Sequence, residues 1–368
     1  MPDRRRLAFH ALTLAVTLLW IGAPGCSRHE AKKEAAVPAA GAAKSGRTYA
    51  QELAQLEATI AGLNARIQQQ ENAPSAYEQA AGAHLQRARL TGDYADYAAA
   101  ESLITRAFAI SPPGAGPFLT RAHLNFTLHR LAPIEADLKA EERSVMVDDA
   151  TRADITALRA NIDFHSGRYP EARRGFEAAH QLHRSIGSLL NLATYDWQTG
   201  DFAAAESLLD SAEAMYHGEY AEPRAWVHLQ RGLMDLDRGR WDEALAHYHR
   251  ADSVLSGWWL VQEHIAEVTT LEGHSDQALA MYEYIVARTG NPEFMDAIAK
   301  IQLAKGDSAA AQPWIDRAEK IYTDRLARFP EASAGHALDH FLEFEPDAGR
   351  LIRLAEENYR LRPGGQAG

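Results

Sequence analysis

The sequence predicts an all-α fold in which about eight helical hairpins stack into a solenoid behind one amphipathic helix. Glycines recur at intervals of 33, 39, 34 and 33 residues, at Gly167, Gly200, Gly239, Gly273 and Gly306. Strand-like runs of Val, Ile and Thr are scarce, whereas alanine is abundant. A hydrophobic content of 46% with 24% charged residues is typical of a folded chain rather than a disordered one.

Residues 1–25 have the three parts of a signal peptide. A basic start at residues 4–6 precedes an apolar run at residues 7–21, and small residues follow. The apolar run is short for a membrane span, which needs roughly 20 residues. We therefore expect an exported protein whose first 25 residues are removed.

Cys26 is the only cysteine in the chain, so an internal disulfide and a cysteine-based zinc site are excluded. Its position resembles the lipobox of bacterial lipoproteins, although Ala23 replaces the usual leucine and Pro24 is unusual there. The resemblance implies lipidation at Cys26 and a place on the periplasmic face of a bacterial membrane. Ser27 is compatible with sorting to the outer membrane. The alternative is a secreted protein with an incidental cysteine.

Two segments of different composition follow the signal peptide. Residues 26–47 are small, polar and poor in large apolar side chains, which predicts a flexible tether. Residues 48–73 predict an amphipathic helix, because apolar residues alternate spacings of four and three at Tyr49, Leu53, Leu56, Ile60, Leu63 and Ile67. This seam predicts either a cap that folds onto the first repeat or a coiled coil that joins two chains.

Residues 231–254 show the pattern of one hairpin most clearly. Apolar periodicity runs through two segments, and Gly239 between them suits the left-handed conformation that ends a helix. Gly232, Ala244 and Ala251 leave the helix faces thin enough for close packing, while Tyr248 is bulky. A hairpin of this size cannot bury its own apolar face, so neighbouring copies are required.

This pattern resembles the tetratricopeptide repeat, whose period is about 34 residues. Five copies around the glycines match well, and three weaker copies flank them within residues 77–364. The resemblance implies a right-handed α-solenoid of about eight tetratricopeptide-like hairpins. It also implies a concave groove that is lined by the first helix of each hairpin.

The groove positions are transferred from the repeat pattern one by one. The candidate partner-binding residues are His123, Phe126, Asn161, Phe164, Thr194, Trp197, Trp226, Asp237, Glu263, Glu267, Asp296, His336 and His340. This groove is expected to be aromatic in its middle and acidic towards its C-terminal half. It suits a protein or peptide partner that has apolar anchors and basic side chains. The alternative for the aromatic residues is packing between repeats.

The expected function is therefore a membrane-tethered, periplasmic interaction scaffold without a cofactor or catalytic activity. A net charge of −12 argues against nucleic acid as the main partner, and no phosphate-binding or serine-nucleophile motif is present. One alternative is a metal-binding or hydrolytic envelope protein that uses His336, His340 and Glu343, since the two histidines are four residues apart. The other is a structural oligomer formed through the N-terminal helix.

Overall fold

The computed structural model describes residues 47–144, 147–344 and 347–361. The expected signal peptide, Cys26 and the tether as far as residue 46 lie outside the described residues. Among the described helices, none combines the length and the apolar character that a bilayer-spanning segment requires. Two short strands, β1 (Arg47–Thr48) and β2 (Leu255–Ser256), form a parallel pair, so Arg47, placed in the tether by the sequence, belongs to a strand.

Helix α1 (Tyr49–Gln69) is followed by eight helical hairpins in the described residues, which confirms the all-α superhelical repeat fold. We call the first helix of each hairpin an inner helix and the second an outer helix. The hairpins are α2 (Pro74–Thr91) with α3 (Tyr94–Ile110), α4 (Phe118–Thr127) with α5 (Ile134–Glu142), α6 (Asp149–His165) with α7 (Tyr169–Leu182), α8 (Ile186–Gln198) with α9 (Phe202–Met215), α10 (Glu222–Asp237) with α11 (Trp241–Val254), α12 (Trp259–Leu271) with α13 (Ser275–Thr289), α14 (Pro292–Ala304) with α15 (Ser308–Arg328), and α16 (Pro330–Phe344) with α17 (Ala348–Leu361).

The turns inside the hairpins depend on left-handed residues, as the glycine spacing predicts. Gly239 has a φ of 70°, and the Arg240 N–H donates to the Asp235 carbonyl at 2.9 Å, which closes the turn between α10 and α11. The other four predicted turn glycines also have positive φ. The second hairpin has no glycine here, and His129 adopts the left-handed conformation instead, with a φ of 57°.

The small residues of the repeat allow the two helices of a hairpin to touch. A Cβ atom built on Gly232 of α10 would lie 2.2 Å from Cε1 of Tyr248 on α11. Ala244 and Ala251 are fully buried on the same outer helix. The Tyr248 ring therefore occupies the space that a side chain at position 232 would need, and this accounts for the pairing of a small and a bulky residue in the sequence.

The N-terminal helices return to the C-terminal half of the chain. Both oxygens of the buried Glu52 carboxylate accept backbone hydrogen bonds at the start of α10, from Ala221 at 2.8 Å and Glu222 at 3.0 Å. The Trp259 indole donates to the Leu90 carbonyl at 2.9 Å, joining the end of α2 to the start of α12. Tyr94 of α3 packs against Phe329 with ring centroids 5.5 Å apart, next to the start of α16.

The apolar seam of α1 packs against other helices of the same chain. Leu56 and Ile60 are buried in a hydrophobic cluster that continues through α8, α10, α12, α14 and α16, and Leu53 and Leu63 pack against its edge. In this structure, the middle of the seam that predicted a coiled coil is buried within the chain, and Ile67 near its end stays partly exposed. The cap interpretation predicted packing on the first repeat, and α1 does pack on α2; it also contacts the start of the fifth hairpin.

The contact of Gly232 with Tyr248 generates a prediction about stability. The substitution Gly232→Ala forces the new methyl group into the ring, so we expect the free energy of unfolding to fall by about 1–3 kcal/mol. The matched control is Gly82→Ala in α2, because no atom lies within 4 Å of a Cβ built there. The control should raise the free energy of unfolding by roughly 0.5–1 kcal/mol, since alanine loses less backbone entropy. Urea unfolding followed by circular dichroism measures both, and equal effects of the two substitutions would contradict the packing described.

Candidate functional site

Most of the residues that the sequence assigned to the groove are buried. Eight of the thirteen are no more than 9% exposed: His123, Phe126, Asn161, Phe164, Trp197, Trp226, Asp296 and His340. The prediction that these side chains line an open groove is wrong. Their spacing along the inner helices is correct, but neighbouring hairpins and the returning N-terminal helices approach closely enough to cover them.

The buried aromatic residues among these make contacts between neighbouring hairpins. The Trp197 indole donates to the Asp237 carboxylate at 3.0 Å and so joins α8 to α10. Trp226 packs against Trp258 with ring centroids 6.3 Å apart. Because other side chains pack closely against these rings, the rings stabilise the stack of hairpins and do not form a surface for a partner.

The acidic C-terminal part of the predicted groove keeps some access to solvent. The side chains of Glu263 and Glu267 on α12 are 13% and 14% exposed, and that of Glu293 on α14 is 13% exposed. Asp237 at the end of α10 and Glu343 on α16 are more open. We call these five residues, Asp237, Glu263, Glu267, Glu293 and Glu343, the acidic row.

Burial and neighbouring charges shift the pKa values of groups in and beside the acidic row. Burial raises the pKa of Glu263 to about 8; His264 opposes this rise, and the negative charges of Glu267 and Glu293 add to it. Burial alone would lower the pKa of His264, but Glu263 and Glu267 together raise it above the usual value. The pKa values of Glu263 and His264 therefore both lie above those of free carboxyl and imidazole groups.

His264 lies at the centre of this cluster and was missed in the sequence. Its Nδ1 atom is 3.2 Å from Glu267 and 3.3 Å from Glu263, and its ring stacks on Tyr248 of α11 at a centroid distance of 5.4 Å. The signal was present in the sequence, since residues 263, 264 and 267 share one side of a helix. The contact with Tyr248 comes from another hairpin, so no local spacing predicts it.

The proposed triad of His336, His340 and Glu343 does not converge. The buried His340 pairs with Asp296 at 2.8 Å, and the Tyr322 hydroxyl donates to the same carboxylate at 3.0 Å. Burial raises the pKa of Asp296 in spite of these partners. His336 instead lies 3.5 Å from Glu293 and Glu343 lies 3.8 Å from Lys300. The metal or hydrolytic site expected at these three residues is therefore wrong.

Comparisons with known proteins agree with the repeat architecture. The family model described as "Tetratricopeptide repeat" matches residues 187–211 and 225–250, which lie in α8 to α11. The structure is similar to that of a Rap protein complexed with competence and sporulation factor, with a TM-score of 0.52 and 14% identity over 85% of this chain and 99% of that one. It is also similar to a chain of the Cut9–Hcn1 hetero-tetramer of APC/C, with a TM-score of 0.50 and 12% identity over 81% of this chain.

This chain spans about half of the Cut9–Hcn1 chain, with 52% of it covered. A search of curated proteins by sequence gave no significant match. At these identities the similarity establishes the fold and nothing finer.

Proposed function

We propose that this chain, a tetratricopeptide repeat protein, is an interaction scaffold. In this proposal it is tethered to the periplasmic face of a bacterial membrane and binds a basic protein segment along the acidic row. The support for a scaffold is the fold itself, a stack of helical hairpins that presents side chains from successive inner helices. The support for a basic partner is the charge of those side chains.

The observation that carries the proposal is the arrangement of carboxylates on successive inner helices. Asp237 lies on α10, Glu267 on α12, Glu293 on α14 and Glu343 on α16. Such a series favours Lys or Arg side chains spaced along an extended peptide or a helix. The tryptophans expected to line the groove are buried, whereas the apolar side chain of Leu233 on α10 is partly exposed.

One protein of similar structure is known in complex with a partner. The Rap protein of similar fold was solved in complex with the competence and sporulation factor. We extend from it only that a protein of similar fold can hold a partner. The charge of the partner is inferred from the acidic row of this chain.

The anchoring part of the proposal rests on the N-terminal sequence. Cys26 follows an apolar run and small residues, and about twenty small or polar residues separate it from β1. A flexible segment of that length spans about 25 Å on average and at most roughly 70 Å. The solenoid would then lie close to the membrane surface but remain free to rotate, and an outer-membrane location is the version of this proposal that Ser27 favours.

Photocrosslinking in cells tests the binding surface. A photoreactive residue at Thr270, which is partly exposed on α12, should capture a distinct protein adduct. The charge reversal Glu343→Lys should reduce that adduct at least tenfold, because it places a positive charge among the carboxylates that bind the partner. The matched charge reversal is Glu283→Lys on the outer helix α13, and the matched crosslinking position is Tyr284, which is 57% exposed there.

We expect no comparable adduct from Tyr284 and no effect of Glu283→Lys. An adduct that forms equally from Tyr284, or that Glu343→Lys leaves unchanged, contradicts binding along the acidic row. Mass spectrometry of the captured segment adds a second criterion, since an acidic segment would also contradict the proposal.

Replacement of Cys26 tests the anchor separately. The substitution Cys26→Ser removes the thiol that would carry the lipid, so the protein should move from the membrane fraction to the soluble periplasmic fraction. The control Ser27→Ala keeps the thiol and should leave the protein in the membrane fraction. If Cys26→Ser stays in the membrane fraction, lipid anchoring at this residue is wrong, whatever the result of crosslinking.

A further inference from the structure

Three residues of α12 place metal-ligating atoms on one side of the helix. Glu263 and Glu267 are four residues apart and His264 is three residues before Glu267, so the three side chains fall within about 100° of the helix circumference. Their ligand atoms all lie within 4.8 Å of one another, and in the described part of the chain no other group of three His, Cys, Asp or Glu residues does so.

The separations within this group suit a transition-metal ion. The Nδ1 atom of His264 is 3.3 Å from Oε2 of Glu263 and 3.2 Å from Oε2 of Glu267. Zinc binds imidazole nitrogen and carboxylate oxygen at about 2.0–2.2 Å, which places two ligand atoms of a tetrahedral site about 3.4 Å apart. The two distances from His264 match this spacing, and the two carboxylates lie within 4.8 Å of each other.

The negative charges around these three residues also favour a bound cation. Besides His264, the charged groups that act on Glu263 are the carboxylates of Glu267 and Glu293. The Oε2 atom of Glu263 is shielded from solvent and has no hydrogen-bond donor. The ionised form of a buried carboxyl group that lacks a hydrogen bond is costly, and a bound cation would stabilise that form.

An independent observation comes from Tyr248 on the neighbouring hairpin. This residue is 0% exposed, and its hydroxyl group has no hydrogen-bond partner. Its ring is stacked on His264 with an interplanar angle of 20°, and the charge that acts on its hydroxyl most strongly is that of Glu267. Two polar atoms without partners, on Glu263 and Tyr248, thus lie around the same imidazole, which is unusual in a well-packed interior.

We propose that Glu263, His264 and Glu267 bind a divalent transition-metal ion of the Zn²⁺ class, with water in the remaining position and within reach of Tyr248. The ion would satisfy the orphaned oxygen of Glu263, and its water would satisfy the hydroxyl of Tyr248. The bound charge would neutralise the deepest part of the acidic row and leave Asp237, Glu293 and Glu343 for a partner. The site does not depend on the proposed function.

Zinc titration of the full chain in its Cys26→Ser form, prepared without a histidine tag, tests this site. Isothermal titration calorimetry and metal analysis after dialysis should show one Zn²⁺ per chain. Each of the substitutions His264→Gln and Glu267→Gln should weaken binding at least tenfold, because loss of one of three protein ligands has effects of that size or more. The controls His249→Gln and Glu283→Gln remove exposed groups on α11 and α13 and should leave binding unchanged.

Two further measurements keep the result interpretable. Unfolding temperatures without metal show whether a variant is folded, and added Zn²⁺ should raise the unfolding temperature of the parent chain but not of Glu267→Gln. The visible spectrum of Co²⁺ bound in place of zinc should report tetrahedral nitrogen and oxygen ligands. Absence of one-to-one binding, or one-to-one binding that persists in both variants, overturns the proposal, whereas loss of crosslinking from Thr270 would not affect it.

Discussion

The carboxylate of Glu52 connects the first described helix, α1, to the start of the fifth hairpin. Helix α10 has no side-chain N-cap of its own, and Glu52, some 170 residues earlier, accepts the hydrogen bonds of its first two amides. Free amides at a helix start carry partial positive charge, so a carboxylate there is favourable. Burial nevertheless raises the pKa of Glu52, while the hydrogen bonds from Ala221 and Glu222 act in the opposite direction.

The return of the N-terminal helices determines which surfaces remain for function. The α1–α3 segment packs on the starts of α10, α12 and α16, and the aromatic residues of the inner helices become interior. The side chains of the acidic row keep some access to solvent, whereas His264 lies buried beneath them. The packing of the N-terminal helices therefore leaves carboxylates rather than tryptophans for the proposed contact surface.

The hairpins were predictable because they are local. A glycine in the left-handed conformation and small residues at fixed offsets, such as Gly239 and Gly232, act between helices that are adjacent in sequence. The repeat pattern left two interpretations open for Trp197 and Trp226, groove lining and packing between repeats, because it gives the side of the helix that a residue occupies but not what covers that side. Both side chains are buried. The contacts of Glu52 with α10 and of Tyr248 with His264 join different hairpins. Only the spacing of residues 263, 264 and 267 offered a signal that sequence reasoning overlooked.

The most direct test of this account is the distance between α1 and α13, measured by double electron–electron resonance. Spin labels are placed at the exposed Ala58→Cys and Glu283→Cys in the Cys26→Ser background, where these are the only two thiols. The account predicts one narrow distance distribution, which broadens with Glu52→Ala but not with the exposed control Glu57→Ala on the same helix. A broad or divided distribution in the chain that retains Glu52 would show that the N-terminal helix does not close on the fifth hairpin, and would contradict the account.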